Sequence, residues 1–148
     1  AVNSTAILVK KDLLMKIGMW DENIYTYLED IDMSIRMRIA GHEIIKVSNS
    51  RVFHGGFQSH KISNREIMNV SRNWHYSWSS IYFKKKHSTS FDFFLYFIQI
   101  FTKYLFKSLV YFLLKNSSKF EQNFTRLKAC LSFVFFKTSY YRSVIKND

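Results

Sequence analysis

Proline is absent from this 148-residue chain, cysteine occurs once, as Cys130, and glycine four times. A single cysteine excludes a disulfide framework and a zinc cluster, and it fits the reducing, cytosolic side of a membrane. With 47% hydrophobic residues and so few glycines, the chain is neither disordered, collagen-like nor low in complexity. No secretory signal pattern opens the sequence and no fixed-period repeat runs through it. The first residues are Ala-Val-Asn rather than a methionine. Together with the missing proline, this start leads us to expect a piece of a longer protein.

Acidic residues are also scarce, 11 against 22 lysines and arginines, and the imbalance is uneven. Residues 1–43 hold 7 acidic and 5 basic side chains, whereas residues 44–148 hold 4 and 17, a net +13. Aromatic residues accompany the basic half, with Phe, Tyr and Trp making up 18% of the chain. A length of 148 residues suffices for one domain with its own core.

The hydrophobic pattern predicts a buried strand over 5–10 and a short helix from Asp12 that ends at Gly18. After a loop carrying Trp20, Asp21 and Glu22, the spacing of Leu28, Ile31, Ile35 and Ile39 predicts a helix from Tyr27 to Ala40, closed by Gly41. Segments 43–47 and 51–54 read as strand or extended chain, so the order suggests an α/β arrangement. Further on, helices are predicted over 65–84, 91–115 and 121–137. In the second of these, Asp92, Gln99, Lys103 and Lys107 line one polar stripe on a helix about 37 Å long. Lysines interrupt each apolar stretch before it reaches about 18 residues, which favours a helix lying in a membrane surface over a spanning one. Packing of these helices on each other, or on further protein, explains the same pattern. The run Lys84-Lys85-Lys86-His87 adds attraction for anionic lipid.

Three features carry candidate chemistry. In Glu29-Asp30-Ile31-Asp32, three carboxylates crowd a helix start, where one of them is poised to accept a proton from a hydroxyl. Capping and dipole complementarity account for one or two of these acids without any catalysis. Trp20 beside Asp21 suits the apolar face of a sugar ring, although an indole in a loop also serves as a core plug. His54, before Gly55-Gly56, has the chemistry of a metal ligand, or of an ordinary structural histidine.

The order of these features resembles the second half of a family 2 glycosyltransferase, closest to the rhamnosyltransferase-like members that build bacterial surface polysaccharides. It runs from Ser4 to Lys11, through Ile17-Gly18-Met19-Trp20-Asp21-Glu22, then Tyr27 to Arg36, Ala40-Gly41 and Val52-Phe53-His54. The resemblance covers about residues 4–60. It implies a partial GT-A fold lacking its nucleotide-binding half, an acceptor-side segment over 1–60, and a helical, basic and aromatic extension over 61–148.

The resemblance also implies roles. Asp30 matches the general base that deprotonates the acceptor hydroxyl for inverting attack, and Glu29 matches its companion. Asp32 and Arg36 match orienting groups, Trp20 and Asp21 the pair beside the acceptor sugar, and His54 a histidine that helps hold the metal-diphosphate of the donor. Magnesium or manganese is implied, with its main ligands in the missing half, as are a nucleotide-sugar donor and a saccharide or lipid-linked saccharide acceptor. The enzyme would be peripheral on the cytoplasmic face of the plasma membrane, and this piece alone would transfer no sugar. Where the family has a second glycine before the aromatic, this chain has Met19. The alternative is a non-enzymatic, membrane-associated or nucleic-acid-binding basic helical protein. Nucleic acid is the weaker partner, because the aromatics recur at helical spacing with Leu and Ile, as core or lipid-facing residues do.

Overall fold

In the computed structural model, which describes residues 6–53 and 65–139, the chain forms five helices. These are α1 (Lys11–Lys16), α2 (Glu29–Ile39), α3 (Arg65–His87), α4 (Ser90–Leu113) and α5 (Ser117–Val134). Among the described residues there is no strand, so the expected α/β, partial GT-A fold is corrected to an all-helical one. The reason lies in pairing. A strand needs a neighbour for its N–H and C=O groups, and among the described residues the segments expected to be strands have none. Leu8 is fully exposed, Ile45 is 77% exposed, and Val47, Val52 and Phe53 also face solvent.

Local chemistry sets the helix boundaries. Thr89 caps α4 by accepting from the Asp92 amide at 3.1 Å, and its hydroxyl donates to the Asp92 carboxylate at 2.8 Å. Asn116 caps α5 by accepting from the Lys119 amide. At their C-termini α1, α2, α4 and α5 close with the same pair of backward hydrogen bonds, such as Gly18 N to Met15 O and Met19 N to Leu14 O. This motif requires a left-handed residue. Gly18 and Gly41 supply it in α1 and α2, but in this glycine-poor chain Lys115 and Phe136 take positive φ after α4 and α5. Met19 also takes a φ of 56°, at the position where the resemblance expects glycine.

The core lies where α5 packs along both α3 and α4. Trp74, Trp78 and Ala129 form its centre, with Tyr82 stacked on Trp78 at 5.4 Å and Phe133 edge-on to it at 5.6 Å. Small buried residues, Ser77, Ser79, Ala129 and Cys130, let the helices close around these rings. Burial pushes the Cys130 thiol up to about 12, which makes it an inert core group.

The N-terminal segment docks on α3 through both hydrogen bonds and ring contacts. Ser79 donates to the Thr26 carbonyl at 2.7 Å, the Tyr25 ring lies 4.8 Å from the His75 ring, and Tyr27 packs edge-on to Tyr76. Tyr27 and Leu28 both take left-handed conformations, turning the chain into α2.

Candidate functional site

The loop after α1, the body of α2 and the last turn of α3 converge on one polar cluster. Its centre is Asp32, which is 0% exposed. Arg36 Nε donates to Asp32 Oδ2 at 2.8 Å, while Lys86 Nζ and His87 Nε2 each lie 2.7 Å from Oδ1. The Arg36 guanidinium also donates to the carbonyls of Ile17 and Met19, so it fixes the exit of α1 against α2.

Lys86 reaches a second carboxylate, Asp21 Oδ2, at 2.6 Å. That same oxygen accepts from the Tyr82 hydroxyl at 3.0 Å, and Oδ1 accepts from the backbone and side chain of Asn23. One lysine from α3 thus bridges two acids from separate N-terminal elements. These contacts set the protonation states. Burial alone would raise the Asp21 carboxyl, but hydrogen bonds from Lys86, Asn23 and Tyr82 outweigh it and hold the group at about 2. At Asp32 burial is likewise outweighed, by Lys86, His87 and Arg36, and its carboxyl is lowered. In turn the two carboxylates raise Lys86 despite its own desolvation.

Acid should therefore loosen this cluster. Both carboxyls sit below their ordinary value of 3.8 when folded, so their contribution is complete above that value and is lost as pH falls through the folded values. Thermal melts should be nearly flat from neutral pH down to about pH 5 and should fall steeply between about pH 4 and 2. The Asp32→Asn variant, measured by the same melts, should show a shallower acid limb.

Beside the cluster lies an open hollow of about 660 Å³ whose wall includes Met15, Trp20, Asp21, Glu22, Arg36 and Lys86. Trp20 is 40% exposed there. An apolar indole face next to charged hydrogen-bonding groups is a surface suited to a polyhydroxylated ring, whose C–H face and hydroxyl rim have opposite needs.

Of the residues singled out from sequence, Trp20, Asp21, Asp32 and Arg36 come together at this cluster and hollow. Asp30 and Glu29 do not line the hollow. Two positions from Asp32, Asp30 lies about 160° round the α2 axis. It is half-buried, and its Oδ1 accepts from the Ile31 amide at 2.8 Å. Glu29 Oε2 is buried without a hydrogen-bond partner among the described residues. His54 lies outside the described residues.

Sequence reasoning missed Lys86, His87 and Tyr82 as members of this cluster. The basic run invited a lipid reading, and only the fold carries the end of α3 to residues more than fifty positions earlier. Among the described residues no group of three His, Cys, Asp or Glu is placed to hold a metal ion. Lys86 already neutralises Asp21 and Asp32 from between them, so this pair does not fit a divalent cation.

The chain matches no family model, no curated protein and no solved structure.

Proposed function

We propose that the chain carries the acceptor side of an inverting glycosyltransferase of bacterial surface polysaccharide synthesis, and that the hollow beside Trp20 seats one ring of a saccharide or lipid-linked saccharide. The observation that carries this reading is the exposed indole set beside Asp21, Glu22, Arg36 and Lys86 around one open hollow. The hollow supports the saccharide half of the reading, whereas the roles of Asp30 and Glu29, which lie off the hollow, come from the family resemblance alone.

In this proposal the acceptor extends from the hollow to the first turn of α2, where its reacting hydroxyl meets Asp30. As the hydroxyl oxygen attacks the anomeric carbon of a nucleotide-sugar donor, Asp30 takes its proton, the bond to the diphosphate breaks on the opposite face, and configuration inverts. Glu29, the adjacent acid, is the companion that holds the acceptor or the loop beside Asp30. Donor binding, with magnesium or manganese, falls to groups beyond those described. Charged sugar nucleotides do not cross bilayers unaided, so the reading places the reaction on the cytoplasmic face.

Two variants test the reading together. Trp74 and Trp78 are buried, so quenchable indole fluorescence reports Trp20. Acceptor oligosaccharide should shield it, and Trp20→Ala, titrated by calorimetry because the reporting indole is gone, should bind about tenfold more weakly, the loss of one stacked ring. In membranes that also supply the donor-binding groups this reading requires, Asp30→Asn should abolish incorporation of labelled sugar while leaving the fluorescence titration unchanged. Equal oligosaccharide affinity in Trp20→Ala would remove the hollow from the reading, and retained transfer in Asp30→Asn would remove the base.

A further inference from the structure

Helix α4 has one packed face and one bare face. Toward α5, Phe93 meets Phe133 at 6.1 Å, and the Arg126 guanidinium and Lys119 ammonium lie over the rings of Tyr104 and Tyr111. On the other side Phe91, Phe94, Ile98, Leu105, Leu109 and Phe112 are all exposed. At about 100° per residue they fall within one arc roughly 60° wide that runs the length of the helix, and the exposed Leu95, Phe106 and Leu113 extend it to about 120°. So broad an apolar surface on a folded chain marks an interaction site.

Its borders identify the occupant. Along one edge of the arc run Gln99, Asp92, Lys103 and Lys107, all exposed, and neither lysine forms an ion pair among the described residues. An apolar arc with cations along its flank matches a layer that has acyl chains beneath anionic headgroups. A second copy of this chain fits less well, because residues 44–148 carry +13 and two such surfaces repel. By length and composition Ser90–Leu113 is also sufficient to cross a membrane. Crossing, however, would bring Lys103, near the middle of the helix, to the depth of the bilayer centre, where an ammonium is strongly disfavoured.

We propose that α4 lies in the plane of an anionic bilayer surface, with the Phe91–Phe112 arc among the acyl chains and Lys103 and Lys107 at the headgroups. At the end of α3, Lys86 is engaged by Asp21 and Asp32, and Lys84 and Lys85 lie over the rings of Tyr96 and Phe133, so the cations flanking the bare arc are Lys103 and Lys107. The proposal goes beyond the saccharide reading and stands without it, since its test measures lipid alone.

The test is co-sedimentation of the 148-residue chain with vesicles of phosphatidylcholine and phosphatidylglycerol, against vesicles of phosphatidylcholine alone. Wild type should sediment with the anionic vesicles and much less with the neutral ones. Lys103→Gln combined with Lys107→Gln should lower the partition coefficient about 30-fold. Leu105→Glu combined with Leu109→Glu, at positions already exposed, should reduce binding to background with an unchanged helical circular dichroism spectrum. If that spectrum does change, an Ile98→Trp chain decides: brominated acyl chains should quench its added fluorescence, and absence of quenching overturns the proposal. The proposal also falls if the Glu pair binds like wild type, or if neutral and anionic vesicles bind equally. A chain that alkaline carbonate cannot release, or that forms a lipid-free dimer dissociated by the Glu pair, overturns it as well.

Discussion

Asp32→Ala should lower the unfolding free energy by about 3 kcal/mol, the cost of removing one partner from a buried ionic group. Chemical denaturation should show it as a large fall in midpoint with an unchanged slope. Asp32 is fully buried, and its partners Arg36, Lys86 and His87 are mostly shielded, with side-chain exposures of 17%, 27% and 14%. Without the carboxylate these donors face each other across a small volume. The effect should exceed that of Asp21→Ala, because there Lys86 keeps Asp32 and water reaches the vacated place. A loss no larger than that of an exposed ion pair, up to about 1 kcal/mol, would show that the cluster contributes little to stability.

Trp78→Ala should cost about 4 kcal/mol, in the range for removing a large aromatic side chain from a core. The indole stacks on Tyr82, meets Phe133 edge-on and donates its N–H to the Lys137 carbonyl at 3.2 Å. Tyr82 in turn donates to Asp21, so the cavity is transmitted to the hollow through one ring. A stability curve and a saccharide titration on the same variant should therefore both change. Trp78→Phe, which preserves the ring contacts but not the N–H donor, should recover most of the stability and the hollow. Unaltered saccharide binding in a destabilised Trp78→Ala chain would show that core and hollow are independent.

The sequence and the fold agree where a signal is local. Gly18 and Gly41 mark the ends of α1 and α2, and the spacing of Ile31, Ile35 and Ile39 marks the body of α2. The expected helices over 65–84, 91–115 and 121–137 correspond to α3, α4 and α5, with ends shifted by a few residues. Capping explains part of the shift, since Asn116 begins α5 four residues earlier than its apolar pattern does.

Where the signal is not local, the reading went wrong. A short apolar run such as 5–10 or 43–47 cannot specify a strand without a partner, and that partner is not encoded in the segment itself. The candidate site divides along the same line. Trp20, Asp21, Asp32 and Arg36 sit on neighbouring N-terminal elements and were legible together, while the lysine that joins them arrives from the far end of a 23-residue helix. Asp32 reads from sequence as an orienting group near a reacting one; in the fold it is the fully buried acid at the centre of the cluster, held by Arg36, Lys86 and His87.

The two left-handed residues before α2 leave that helix with no side-chain cap from Leu28. Asp30 takes over the task from within, its own oxygen receiving the amide of the next residue. An amide oxygen can also accept from that N–H, more weakly than a carboxylate, so Asp30→Asn keeps the contact while removing the charge, and the circular dichroism of the variant reports whether α2 survives the exchange.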